Sequence, residues 1–108
     1  MWTVVFHPDV DGELDRLTAA ERVAMLNAVE KLKALGPTLP FPHQSNVQGT
    51  TGLRELRPRA GRSRWRGFYG QVGDAFVIAA IGPEAKVDPR QSTRAVRAAT
   101  TRLAEIEP

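Results

Sequence analysis

Six arginines fall within the seventeen residues from Leu53 to Tyr69, half of all the arginines in the chain. Arg54, Arg57, Arg59, Arg62, Arg64 and Arg66 are opposed there only by Glu55, so the segment carries +5 while the whole chain carries +3 and the remainder −2. Clustered guanidinium groups build a local field that scattered ones do not, which points to an anionic partner. On a strand, alternation places Leu53, Glu55 and Arg57 on one face and Arg54 and Leu56 on the other. In the following strand Arg64, Arg66 and Phe68 oppose Trp65, Gly67 and Tyr69. Guanidiniums on adjacent strands can grip a phosphate bidentately and stabilise charge developing on a phosphorane in a partly dry site. The alternative is a solvated basic surface, with Glu55 offsetting its neighbours. Gly67, inside a strand, marks a bulge or a close backbone approach.

The elements that must position these arginines follow from pattern. Residues 2 to 6 read as a short strand with Trp2, Val4 and Phe6 on one face. Val10, Leu14 and Leu17 share the face of a short helix with Asp9, Asp11 and Glu13 at its start, where the dipole favours them. Thr18-Ala19-Ala20-Glu21 is a capping box, and Gly36-Pro37 ends the helix that it opens. These two helices form a hairpin. From Gly36 to Gly52 the chain is too rich in proline and glycine for a regular element and reads as an ordered loop, with Leu39 and Phe41 as apolar anchors. His43, alone in that loop, reads as solvated or backbone-bonded in preference to catalytic.

Three strands follow, Leu53 to Pro58, Arg64 to Val72 and Ala75 to Ile81, as a meander. Gly73-Asp74 makes a tight hairpin, and Phe76 to Ile81 is apolar on both faces, as in a central strand. Arg59 to Ser63 forms a basic hairpin tip suited to phosphate. Asp88-Pro89-Arg90-Gln91 opens a closing helix with Val96, Ala99, Leu103 and Ile106 on one side. The sum is an α+β fold in a single domain over residues 1–108, β-α-α-β-β-β-α in order.

Composition narrows the function. With 42% hydrophobic and 25% charged residues the chain is an ordinary globular protein. No apolar run approaches the roughly 20 residues that span a bilayer. The N-terminus lacks the features of a secretory signal, so the expected location is cytoplasmic with no membrane partner. The absence of cysteine excludes disulfides, thiolate metal sites and cysteine nucleophiles, and two isolated histidines argue against structural zinc.

Leu53-Arg54-Glu55-Leu56-Arg57, then Trp65-Arg66-Gly67-Phe68-Tyr69, an apolar strand, Lys86 and a closing helix ending Arg102-Leu103 together resemble the RelE/ParE superfamily of bacterial toxins, closest to its phage-related HigB-like branch. The resemblance covers nearly the whole chain. It implies a twisted, mostly antiparallel sheet packed by the helix hairpin and the C-terminal helix. It also implies metal-independent cleavage of messenger RNA, commonly on the ribosome, by attack of the 2′-hydroxyl on the adjacent phosphorus. No cofactor is implied. Carried over by position, Arg57, Arg66 and Lys86 become the catalytic residues. The first two bind the scissile phosphate, and Lys86 aids proton transfer or phosphate binding. Arg54, Arg59, Arg62, Arg64 and Tyr69 are expected to bind RNA. Arg59, Arg62 and Arg64 lie near the hairpin tip as positioning contacts to phosphate or to an acidic antitoxin segment. Tyr69 either stacks on a base or hydrogen-bonds in the site, or is buried as a structural residue.

The expected partners are mRNA, the ribosome and a cognate helix-turn-helix antitoxin, held with the toxin in a hetero-oligomer. The family often has an aromatic, a spacer and two lysines after the last strand, where this chain has Glu84-Ala85-Lys86-Val87. Two other functions fit the sequence. One is a ParE-like toxin acting on DNA gyrase. The other is a catalytically weakened member that mainly binds its antitoxin and RNA.

Overall fold

The structure, a computed structural model, describes residues 1–106, so the last two residues of the domain expected over 1–108 lie outside the description. Its elements are β1 (Thr3–Phe6), α1 (Val10–Leu14), α2 (Ala19–Leu35), β2 (Gln44–Asn46), β3 (Arg54–Leu56), β4 (Trp65–Val72), β5 (Ala75–Pro83) and α3 (Pro89–Ile106), with a 3-10 turn at Gly36–Thr38 and a kinked, partly left-handed turn at Pro58–Gly61. They build a five-stranded sheet in the order β1-β5-β4-β3-β2. Only β1 runs parallel to its neighbour, and the other pairings are antiparallel. The expected α+β architecture, with a helix hairpin and a terminal helix on a twisted sheet, is the one observed.

One element departs from the expected order. Within the proline-rich loop, Gln44, Ser45 and Asn46 pair with Leu56, Glu55 and Arg54 and add β2 at the sheet edge. Three polar residues carry no alternation to betray a strand, and their pairing is supplied by β3. The loop's two proposed anchors also part company. Leu39 is buried in the core, whereas Phe41 is 70% exposed. The first arginine strand is shorter than expected, because Pro58 lacks an amide donor and begins a tight turn whose next two residues are left-handed.

The two long helices, α2 and α3, start where polar side chains satisfy their first amides. The Thr18 hydroxyl accepts the Glu21 amide and the Glu21 carboxylate accepts the Thr18 amide. A pair of this kind is worth about 1 kcal/mol. The Thr18 amide, aided in smaller part by the Trp65 indole and the Arg64 charge, holds the Glu21 carboxyl below its ordinary range. Asp88 caps α3 by accepting the Gln91 amide at 3.0 Å. At the far end of α2, Gly36 takes a positive φ of 54°, and the Trp2 ring lies where a Cβ would stand.

The sheet buries both faces. Met25, Val29 and Leu32 of α2 pack with Val4, Leu56, Tyr69, Phe76 and Ile78 on one side. Ala99 of α3, with Val96 and Leu103 against it, packs with Leu53, Phe68, Ala79 and Ala80 on the other. Ala79 and Ala80 share a side because Phe68 pairs with Ala80 and Tyr69 with Ile78, leaving Ala79 as an extra residue in β5. Of the two readings of Gly67, a bulge or a close approach, the second is the one observed, since a Cβ there would meet the Met25 sulfur at 3.2 Å.

β1 covers β5 only as far as Ile78. Beyond it, side chains replace the missing strand. The Ile81 amide donates to Glu13 Oε1 at 2.8 Å, and Arg102 Nη1 donates to the Ala79 carbonyl at 2.9 Å. Arg102 and Glu13 also bond each other at 2.9 Å, closing the edge. This fastens α1 and α3 to the same strand and satisfies backbone groups that would otherwise be orphaned.

α3 can lie close on β5 only because residue 82 has no side chain, since a Cβ at Gly82 would fall 2.5 Å from that of Ala95. Gly82→Ala is expected to destabilise the fold by about 1–3 kcal/mol through overpacking. Urea unfolding checks this as a lower midpoint at unchanged slope.

Candidate functional site

Arg66, second residue of β4, is 1% exposed and the largest fully buried side chain. Its five N–H groups meet five acceptors. Nε donates to Glu55 Oε2 at 2.9 Å, Nη1 to the carbonyls of Ser63 at 2.6 Å and Trp65 at 3.0 Å, and Nη2 to Glu84 Oε2 at 2.6 Å and the Gly61 carbonyl at 3.4 Å. Register explains the neighbours. β3 places Glu55 across from Phe68, beside Arg66, and Arg66 pairs with Gly82, two residues before Glu84. The Glu84 amide donates to the Arg64 carbonyl at 2.7 Å, continuing the β4–β5 ladder. An arginine taken from water is tolerated only when its charge and every donor are matched, and both conditions hold here.

Glu55 Oε2 also stands 3.5 Å from Nη1 of Arg57, so one carboxylate joins both arginines expected in the chemistry. The two arginines differ sharply in access. Arg57 lies just past β3, its guanidinium under the ring of Phe41 at 5.2 Å. The backbone of Gly61, at φ 91°, admits it, since a Cβ there would stand 2.7 Å from Nη2. Its Nε is buried with no hydrogen-bond partner among the described residues. Arg57 thus keeps unused donor capacity where Arg66 has none.

Arg57 lines a cleft of about 250 Å³ between α2 and the 58–61 turn, together with Val23, Asn27, Lys31, His43 and Arg59. Every ionisable side chain lining this cleft is basic. His43 arrives there because the β2–β3 ladder continues past Gln44, with the Arg57 amide donating to the His43 carbonyl at 2.9 Å. Arg59 and Ala60 both adopt left-handed conformations, φ 57° and 55°. Such positions cost about 1–3 kcal/mol each in non-glycine residues and cluster at working sites. This strained turn brings Arg59 to the cleft mouth. Among the described residues no group of three or more His, Asp or Glu side chains is arranged to hold a metal ion.

The remaining expected residues scatter. Lys86 is exposed in the turn after β5, and it is Glu84, not Lys86, that reaches Arg66. Arg54 donates to Gln44 Oε1 at 3.2 Å. Arg62 is exposed, its Nε bonded to the Arg59 carbonyl, and Arg64 is exposed over the Trp65 ring at 5.2 Å. Tyr69 is a core residue, edge-on to Phe76 at 5.9 Å, so its ring is not offered to a base. Burial pushes its hydroxyl up to about 12, against a smaller opposing pull from Arg54.

Sequence reasoning set His43 aside and did not place Lys31 in the site. Only the β2–β3 pairing and the turn at Pro58 bring them to Arg57. The partners of Arg66 were in principle readable, since Glu55 shares its face by alternation. Glu84 required the β5 register.

The profile of the family described as phage-derived protein Gp49-like (DUF891) matches residues 12–104, from α1 through nearly all of α3. The chain belongs to this family. A search of curated protein sequences gives no significant match. Among solved structures, the archaeal RelE-RelB complex from Pyrococcus horikoshii OT3 has a chain 22% identical, with a TM-score of 0.56 over 76% of this chain and 93% of that one. An arginine-to-alanine double mutant of the E. coli toxin RelE in the free state is 13% identical, with a TM-score of 0.63 over 89% of this chain and 95% of that one. The Gp49-like chain therefore has the RelE fold, as expected from the resemblance of its arginine strands.

Two outcomes are expected of the buried residues. Arg66→Ala leaves Glu55 and Glu84 facing each other without their cation and should cost about 3–5 kcal/mol, measured by denaturant unfolding. Tyr69 is the only tyrosine. Its absorbance titration should therefore report one group near 12 in place of the ordinary 10.0. Because the folded state favours the neutral phenol, the associated stability is complete below pH 10 and is lost as pH rises through 12.

Proposed function

We propose that this Gp49-like protein is the toxin of a type II toxin-antitoxin pair and cleaves mRNA without a metal, in the cleft of Lys31, His43, Arg57 and Arg59. The observation that carries this reading is Arg57. It is a guanidinium oriented by Glu55, its buried Nε without a partner among the described residues, in a cleft whose ionisable side chains are all of basic type. Such a cleft favours a phosphodiester in the ground state and still more the extra charge of its transition state. The exposed ring of Phe41, against Arg57, offers a face on which a base stacks.

The reaction needs no outside reactant. The 2′-oxygen of the substrate forms a bond to the adjacent phosphorus as its proton passes to the imidazole of His43. The bond from phosphorus to the 5′-oxygen breaks as that oxygen takes a proton from a water molecule in the open cleft, and the proton held by His43 neutralises the hydroxide left behind, restoring the base. The products are a 2′,3′-cyclic phosphate and a free 5′-hydroxyl. Arg57 holds the equatorial oxygens throughout, and Arg59 and Lys31 bind flanking phosphates. Arg66 acts at one remove, holding the Glu55 carboxylate that orients Arg57. A cognate antitoxin restrains the activity, a role suggested by the RelB partner of the archaeal RelE structure. Its mRNA substrate, on the ribosome or free, sets the site of action in the cytoplasm.

The saturation of Arg66 by Glu55 and Glu84 favours a second reading, in which the protein binds RNA and antitoxin but cuts weakly. The two readings separate in one experiment, incubating purified protein with single-stranded RNA in the presence of a chelator. On the first reading the parent protein leaves cyclic phosphate ends, and Arg57→Ala lowers the rate roughly 10²–10³-fold. His43→Ala lowers it roughly 10²–10⁴-fold. On the second, the parent binds without cutting, and Glu84→Gln, which removes one counter-charge from Arg66 and keeps a hydrogen-bond acceptor there, turns cleavage on. Undiminished cleavage by Arg57→Ala and His43→Ala would overturn the assignment of this cleft.

A further inference from the structure

We infer that a second groove, between α1, the end of β5 and α3, binds the phosphate backbone of single-stranded RNA that extends beyond the cleavage cleft. This rests on the RNA-cleaving reading above. The groove has a volume of about 380 Å³, and Arg16, Arg64, Arg94 and Arg102 are its basic lining residues. Trp65, Gly82 and Pro83 also line it.

The charges there are not equivalent. Glu13 and Asp88 also line the groove, but their carboxylates are committed. Glu13 binds the Ile81 amide through one oxygen and Arg102 through the other, and Asp88 caps α3. Arg102 is committed in turn to Glu13 and the Ala79 carbonyl. Arg16, Arg64 and Arg94 are exposed and form no ion pair among the described residues. Three uncommitted guanidiniums around a concavity make an anion site, and a concave, low-dielectric wall concentrates their field. The groove shows hydroxyls and amides only sparsely, Gln91 being its one amide side chain. It suits repeated phosphates better than base edges, and so sequence-independent binding.

The groove and the cleavage cleft are joined by one turn. Arg59 lines the cleft, Arg64 lines the groove, and exposed Arg62 stands between them in sequence. Arg64 acts on Glu21 at the start of α2, and Ala20, next to Glu21, lines the cleft. A strand whose scissile phosphate sits on Arg57 therefore has a basic path along Arg59, Arg62 and Arg64 to Arg16 and Arg94. The hairpin tip serves as a bridge between two sites.

The test is anisotropy titration of the parent and an Arg16→Ala/Arg94→Ala variant with two uncleavable probes, a 2′-O-methyl dinucleotide and a longer 2′-O-methyl oligouridylate. Neither replaced side chain belongs to the cleavage cleft. The variant should bind the long probe roughly tenfold more weakly, with a salt slope smaller by roughly 1.4, about 0.7 for each lost phosphate contact. Binding of the dinucleotide should not change. Equal affinity and slope for the long probe would overturn the inference, as would parallel loss of dinucleotide binding. Unchanged RNA binding with lost affinity for a polyglutamate peptide would overturn it too, assigning the groove to an acidic protein segment. If the parent binds the long probe as expected yet cuts no RNA, the cleavage reading fails while the groove stands.

Discussion

The buried guanidinium of Arg66 is the interaction on which the arginine-rich half of the protein depends. It gathers β3 through Glu55, the 58–63 turn through two carbonyls and the segment after β5 through Glu84. With Arg57 included the four charges sum to zero. The cluster can therefore lie at the sheet surface without repelling itself, and the remaining arginines are free to face outward. Removing any one member leaves a charge without its counterpart, which is why such clusters are costly to break even where they add little net stability. The cluster also separates two kinds of arginine that look alike in sequence. One kind is used to hold the scaffold and the other is left with donors to spare.

Much of the fold was legible because its signals are local. The Thr18 capping box, the Asp88-Pro89 start of α3, the Gly73-Asp74 hairpin and the apolar run of β5 each depend on residues within a few positions of one another. What escaped depends on pairing at a distance. β2 has no hydrophobic pattern and exists because β3 offers it an edge. Phe41 looked like an anchor because aromatic residues usually bury, yet it lies across a guanidinium instead. The site was legible in type and not in assignment. Arg57 and Arg66 were singled out together by alternation and resemblance, but which of them is buried is decided by Glu84, eighteen residues from Arg66, and by a turn that no periodicity describes.

The two basic concavities are built by different means. The cleft at Arg57 is made by strain, with two left-handed residues and Gly61 bending the chain over α2. The groove at Arg16 and Arg94 is made by economy of side chain, since Gly82 lets α3 approach and the Glu13–Arg102 pair fills the edge that β1 leaves open. In both, the carboxylates are consumed within the scaffold. The net charge of +3 therefore understates the field at these surfaces.

The parallel pairing of β1 with β5 also orders events in time. Residues 3–6 find their sheet partner only in residues 75–78, and the edge beyond them is closed by Arg102. Chains grow from the N-terminus at about 5–20 residues per second, so the first strand waits several seconds on the ribosome for its neighbour. The sheet becomes continuous only when nearly all of the chain has emerged. Assembly of the sheet thus waits on β5, and nascent fragments that stop short of it lack the folded surfaces that it completes.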